Sequence, residues 1–391
     1  MSIRRSRSKR NVLRTFAVAL GAAMVLTGAT GTGTAAEGAG KRHDATQRAL
    51  DALERAGMPG VAAEVSSPQG KWFGSAGFAD TATKRKRTAA DHLRAGSNTK
   101  SLISVVLLQL EAEGELSLDD SVERWLPGVL QGNGYDGNKV TVRQLINHTS
   151  GVHDMVSTPE WQKHMNGPGF LAHRYEAWTP RQIVDLALTY KPDFEPGTSW
   201  NYSNTNFVLA GMIIEKVTGN TYAHEAERRI IKRLNLRETT FPGTDPKMPA
   251  PYAVGYSKLY AANPGPEIYD ATEYNPAWSG ATGEVISTTG DLNRYYSALL
   301  KGELLPAAQQ RELLDTVETG TFFRYGTGLI VRTLSCGVKV YGHDGIVWGS
   351  LTSTATTADG KHTLTFHLNG DWLEDGALYE NVFEAEFCGK G

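Results

Sequence analysis

Apolar positions recur along this chain with two periods, and the switches between them divide it into blocks. Residues 45–57, ATQRALDALERAG, set Leu50, Leu53 and Ala56 at helical spacing and stop at a glycine, which predicts an amphipathic helix. VAAEV (residues 61–65) and WFGSAGFAD (residues 72–80) then read as strands with a turn between them. Residues 99–113 are apolar nearly all round, so that helix is expected to be buried. In residues 120–240 helical patterns dominate, most clearly in VRQLINH, PRQIVDLALTY and NFVLAGMIIEKVTG. The period then returns to two: VKVYG, GSLTSTATT and HTLTFHLNG are rich in β-branched residues and broken by Gly and Asn. ALYENVFEAEF reads as a closing helix.

This order predicts an α/β (α+β) fold. The two ends of the chain build one antiparallel sheet flanked by N- and C-terminal helices, and an all-helical lobe is inserted between them. The sheet lobe is expected from residues 45–95 and 280–391, and the helical lobe from 96–279. A cleft between two such lobes is a usual place for small-molecule chemistry.

Composition changes the picture at the N-terminus. The chain has 391 residues, 40% hydrophobic and 21% charged, enough for a sizeable core. Its first sixteen residues, MSIRRSRSKRNVLRTF, carry six basic side chains and no acidic one, and a short apolar run and small residues to Ala36 follow. That pattern reads as a secretory signal peptide over residues 1–36, and the apolar run is shorter than the ~20 residues a membrane span needs. No membrane anchor is expected, and the protein is read as secreted. Cleavage near Ala36 would move the net charge from −2 to −8, because six basic residues leave and no acidic ones do. An acidic chain has no electrostatic reason to bind nucleic acid. The two cysteines, Cys336 and Cys388, are expected to pair in an oxidising compartment, stabilising by about 4 kcal/mol in the chain-entropy account. No Cys/His cluster has zinc-site spacing, and no metal or cofactor is expected.

Three short motifs carry candidate chemistry. Ser97 and Lys100 stand three residues apart where the buried helix begins, so the amine can reach the hydroxyl. A serine hydroxyl needs a base, and a lysine can serve only if burial or a nearby cation lowers its pKa. Alone the pair reads as a capping serine with a solvated lysine, and the same spacing recurs at Ser6 and Lys9. NYSNTNF supplies Tyr202 and Asn204, a phenol and an amide two residues apart. That spacing too recurs, at Tyr379 and Asn381, read as an ordinary helix surface. YGHDGIVWG supplies His343, Asp344 and Gly345 after a strand-like run, where glycine admits a substrate to a strand edge.

Taken together, in this order, the motifs resemble the S-x-x-K, Y-x-N, [KH]-x-G serine acyl-enzymes, the penicillin-binding proteins and serine β-lactamases. The H-x-G variant, the NHTSG loop at residues 147–151 and the run NYSNTNFVLAGMIIEKVTG look most like the secreted DD-carboxypeptidase branch, relatives of the class C β-lactamases. The resemblance spans nearly all of the chain after the signal segment. It implies that Ser97 attacks a carbonyl and becomes acylated. Lys100 and Tyr202 share proton transfer, with the base left open between them. Asn204 holds the substrate amide, and His343 sits beside Tyr202. The backbone N–H groups of Ser97 and Ile346 form an oxyanion hole, a feature worth about 3–4 kcal/mol per donor. Trp278 and Trp161 would line the cleft or pack in the core. The implied partners are a small peptide or D-amino-acid derivative and acylating β-lactams, and a monomer is expected.

The chain departs from that branch where a substrate carboxylate would bind. The branch resembles itself in having Thr inside the H-x-G motif, a hydroxyl residue after it and Arg on the preceding strand; here these positions are Asp344, Ile346 and Ile330. Glu284 replaces a small residue near the expected cleft. An anion in place of a bidentate cation disfavours a carboxylate and favours an ammonium group. The expected activity is therefore cleavage of D-amino-acid amides or peptides from the amino side. The alternative is a D-alanyl-D-alanine carboxypeptidase in which Arg332 or Arg324 takes over the carboxylate. An esterase and a non-catalytic penicillin-binding sensor rank below both.

Overall fold

The computed structural model describes residues 43–262 and 264–389; the expected signal segment lies outside them. Eight strands form one sheet: β1 (Gly60–Ser67), β2 (Gly70–Gly77), β3 (Val317–Glu318), β4 (Phe323–Tyr325), β5 (Ile330–Thr333), β6 (Lys339–Val347), β7 (Ser350–Thr357) and β8 (Thr363–Leu368). Their order is β2-β1-β8-β7-β6-β5-β4-β3, and every pairing is antiparallel. The two ends of the chain thus meet where β1 hydrogen-bonds to β8.

The helices that matter for the site are α1 (Asp44–Arg55), α2 (Thr99–Ala112), α3 (Pro159–Met165), α4 (Pro168–His173), α5 (Pro180–Leu188), α6 (Asn204–Thr218), α7 (Thr289–Leu300) and α8 (Gly376–Cys388). On one face of the sheet α1 and α8 cover Val61, Val65, Val340, Leu364 and Phe366. The opposite face carries α7 and the helical layer around α2 and α6. Side chains alternate across a strand, so odd positions of β6 face the helical layer and even positions face α8.

Local chemistry explains several helix starts. Thr179 opens α5 with a capping box completed by Gln182, and Pro stands in the first turn of α3, α4 and α5, where its missing N–H is not needed. Helix α2 is buried on every side, as its lack of a polar stripe predicts. Residues 240–279 differ from the expected helical lobe. Among the described residues they hold no α-helix, only two-residue strands and a 3₁₀ turn. FPGTDPKMPAP and NPGPE explain this, since each proline removes a helix donor. Cys336 and Cys388 are bonded, joining the β5–β6 turn to the end of α8. No helix among the described residues is long and apolar enough to cross a membrane.

Candidate active site

Ser97 lies in a 3₁₀ turn, Gly96–Asn98, that runs directly into α2. The turn is braced from three sides. The Asn98 amide donates to Ala95 O at 2.9 Å and accepts from the Tyr296 hydroxyl at 2.9 Å, and Thr99 Oγ1 donates to Gly96 O at 2.8 Å. Strand β6 passes close by. A Cβ on Gly345 would stand 1.9 Å from Ala95 O and 2.9 Å from Ser97 N, so only glycine fits there. A Cβ on Gly96, whose φ is +54°, would stand 2.9 Å from Ile346 N. The backbone at Gly345 and Ile346 therefore packs directly against the turn that carries Ser97.

Lys100 is wholly buried in the first turn of α2. Its amine donates to Ser97 Oγ at 2.9 Å, Asn204 Oδ1 at 2.8 Å and Thr282 O at 2.8 Å. Burial pulls its pKa down to about 7, against the opposing pull of Asp154. Tyr202 is pushed the other way: burial raises its phenol far above neutrality, although the Ser97 hydroxyl bonds to it. Asn204 opens α6 and bridges two charges, accepting from Lys100 while its Nδ2 donates to Asp154 at 3.2 Å and 3.3 Å. Only this orientation of the amide satisfies both partners. The expected substrate-holding amide is thus already engaged at both ends.

His343 faces the helical layer from β6, with its ring 6.5 Å from that of Tyr202. Its Nε2 pairs with the Tyr325 hydroxyl at 2.9 Å, so the partnership expected with Tyr202 runs instead through ring packing. Burial lowers its pKa to about 4, which keeps it neutral. His148 stacks 4.3 Å from Tyr202. Its Nδ1 accepts from Ser203 N and Asn206 Nδ2, each at 3.2 Å, which leaves the proton on Nε2.

A cleft of about 1100 Å³ opens over Ser97, lined by Tyr202, Asn204, His343, Ile330 and Ile346 among others. Its far wall is aromatic. Trp161 and Trp278 both reach it while only 1% and 5% exposed, and their rings lie 5.5 Å apart. They serve lining and packing together.

A beta-lactamase family model matches residues 44–386. The chain belongs to that family. It is 29% identical over 323 residues to penicillin-binding protein 4* of Bacillus subtilis, covering 79% of this chain and 66% of the relative. The chain spans about two thirds of penicillin-binding protein 4* and 49% of the Staphylococcus aureus protein flp, to which it is 27% identical over 265 residues. Among solved structures, a D-stereospecific amidohydrolase from Streptomyces sp. is 48% identical with a TM-score of 0.84, covering 89% of this chain and 99% of that one. D-amino acid amidase from Ochrobactrum anthropi SV3, solved with D-phenylalanine, is 27% identical with a TM-score of 0.76, covering 90% and 100%. The protein is a serine hydrolase of this family.

Two expectations within the family frame need correction. Asp344 is not a bare anion. Its carboxylate accepts from Arg332 and Ser353 on the α8 face of the sheet, and Arg332 also pairs with Glu380 at 3.5 Å. The reason is pleat: Asp344 is an even position of β6 and points away from His343. Burial alone would raise its pKa, but Arg332 and Ser353 outweigh burial and hold it low. Consequently Tyr379 and Glu380, expected on an ordinary helix surface, are half-buried against this pair. Asp344 still lines the cleft, whereas Glu284 turns away from it. It accepts from the Tyr222 hydroxyl at 2.6 Å and Gly243 N at 2.9 Å, and burial lifts its pKa to about 7.

Sequence reasoning gave no role to Asp154, Tyr325 or His148. His148 carried a signal in the NHTSG loop, whereas Asp154 and Tyr325 are brought in by tertiary packing alone.

Proposed function

We propose that this protein is a secreted, D-stereospecific serine amidohydrolase that cleaves amides or peptides of D-amino acids from the amino side through an acyl-enzyme on Ser97. The observation carrying the substrate reading is the fate of the cations. Ile330 stands at the position where a carboxypeptidase would offer Arg. Arg332 is committed to Asp344 and Glu380, and Arg324 to Glu318 and Thr316. Neither of these two guanidinium groups is free to hold a C-terminal carboxylate. Asp344 lines the cleft, and two carboxylates around one guanidinium leave a net charge of −1 when all are ionised, so this end of the cleft still prefers an ammonium group. The 48% identity to a D-stereospecific amidohydrolase supports the same substrate class.

The mechanism follows from the two opposed pKa shifts. With its pKa at about 7, Lys100 is neutral in roughly half the molecules at neutral pH. Neutral Lys100 takes the Ser97 proton as Oγ attacks the carbonyl carbon. The oxyanion lies between the Ser97 and Ile346 amides. The C–N bond then breaks, and the leaving amine takes a proton delivered by the Tyr202 phenol, which Lys100 replenishes. Water, activated by the same groups, attacks the ester and frees Ser97. Tyr202 stays protonated in the resting site and acts as relay, so Lys100 is the base.

The second reading is a D-alanyl-D-alanine carboxypeptidase. It is favoured by one feature, Lys163, an exposed cation at the cleft rim. A matched rate comparison separates the two, with Ser97→Ala as control. Turnover of a D-amino-acid amide with a free amine, and none of an N-blocked peptide ending in D-Ala-D-Ala, supports the amidohydrolase. The reverse preference overturns it.

A further inference from the structure

Outside the catalytic cluster, two histidines and a glutamate converge where α3 meets the turn after α4. His164 Nε2 lies 2.9 Å from one carboxylate oxygen of Glu176, and His173 Nδ1 lies 2.7 Å from the other. The imidazole rings stack at 3.9 Å. Among the described residues this is the group of three or more His, Cys, Asp or Glu side chains whose ligand atoms all lie within 4.8 Å of one another. His164 and His173 are half-buried and Glu176 is exposed, so an ion and its waters have access.

We infer that His164, His173 and Glu176 form a binding site for a borderline divalent transition-metal ion such as Zn²⁺, which clamps α3 to the α4 turn and stiffens one wall of the cleft. The donor set is right for such an ion: two imidazole nitrogens and a carboxylate, with positions left for water. The distances need little adjustment. Ligands about 2.0–2.2 Å from zinc sit roughly 3.3 Å apart, a few tenths of an ångström beyond the present hydrogen bonds. At present each imidazole donates the proton on the nitrogen facing Glu176. On metal binding that proton moves through solvent to the other nitrogen of the same ring, and the freed lone pair binds the ion. No net proton need be released.

The scaffold is built independently of the ion. Only Asn166 and Gly167 separate α3 from α4, and a Cβ on Gly169 would stand 2.2 Å from Lys163 O, so the two helices are held in close contact. Arg174, which follows His173, is turned away and donates to Asp270 O at 2.9 Å. Asn275 fastens the same turn through Arg174 O at 2.7 Å. The link to the cleft is short. Trp178 packs edge-on against His164 at 5.3 Å and against Trp161 at 5.5 Å, and Trp161 lines the cleft.

The test is calorimetric titration of ZnCl₂ into the purified, chelator-treated protein. One ion per chain is expected, with binding weakened at least tenfold in His164→Ala, His173→Ala and Glu176→Gln. His362→Ala, which removes a histidine paired with Glu386 elsewhere, should bind as the parent does. No binding, or equal binding in all variants, overturns the proposal. Co²⁺ added to the unmodified protein gives a second reading that needs no variant. Visible absorption of a four- or five-coordinate N/O site supports the proposal, and the spectrum of the hexa-aquo ion contradicts it.

Discussion

His343 and Asp344 are neighbours on one strand and live in different worlds. His343 faces the helical layer, where Lys100, Tyr202 and His148 crowd a desolvated pocket, and it is driven to the neutral state by burial. Asp344 faces α8, where a buried guanidinium holds it ionised. Both faces are low in water, yet one strips charge from its groups and the other stabilises it. The difference is stoichiometric. The His343 side gathers three groups that would be cationic, Lys100, His148 and His343, with Asp154 as the nearby anion, so the cheapest arrangement is partial neutrality. The Asp344 side mixes signs and satisfies them with hydrogen bonds. A neutral amine beside a serine is a base; a paired carboxylate is a structural element. One strand thus supplies chemistry on one face and anchorage on the other.

The largest expected effect breaks the chemical face. Ser97→Ala and Lys100→Met should each lower kcat by about 10⁴-fold or more while leaving the melting curve cooperative, because nucleophile and base act as a unit. Steady-state rates and circular dichroism on the same samples check this. The pH profile comes next. Lys100 must be neutral to accept the Ser97 proton, and its pKa is lowered to about 7. The reactive form is therefore lost as pH falls through 7. With a substrate that has no titrating group near neutrality, kcat/KM should fall about tenfold per pH unit below that point and level off above it. A profile flat down through pH 7 would remove Lys100 as the base.

The anchorage face gives smaller effects, on stability rather than rate. Arg332→Met leaves Asp344 and Glu380 without their cation. The loss should be about 2–3 kcal/mol in urea unfolding, below the ~3–5 kcal/mol of a wholly buried pair because both carboxylates are partly exposed. Adding Asp344→Asn should restore part of it, a coupling that a double-mutant cycle measures. Tyr325→Phe is the mildest, removing one hydrogen bond to His343 for about 1 kcal/mol and slowing turnover less than tenfold.

What could be read from the chain divides along the same line. Ser97 and Lys100 were legible because their contact is local, one helical turn, and Tyr202 and Asn204 because they share one backbone segment. The sheet was legible because alternation and β-branching mark strands regardless of partner. The company each residue keeps was not. Asp344 read as a bare anion because Arg332 lies on the neighbouring strand and Glu380 on the last helix, and sequence does not show which strand face meets which helix. Glu284 read as a cleft residue because it falls where the resembled branch has a small residue; Gly283 beside it does line the cleft, but the Glu284 side chain swings to Tyr222. Asp154, a half-buried carboxylate tied to Asn204, had no periodic or motif signal at all.

The most direct test of the account is to trap the intermediate. The protein would be mixed with a slowly deacylated D-aminoacyl ester, quenched in acid, digested and mapped by mass spectrometry. The account predicts an adduct on the peptide containing Ser97, equal in mass to the acyl group less one hydrogen atom displaced from the hydroxyl, and absent from Ser97→Ala. Turnover with no adduct, or an adduct on another residue, would contradict it.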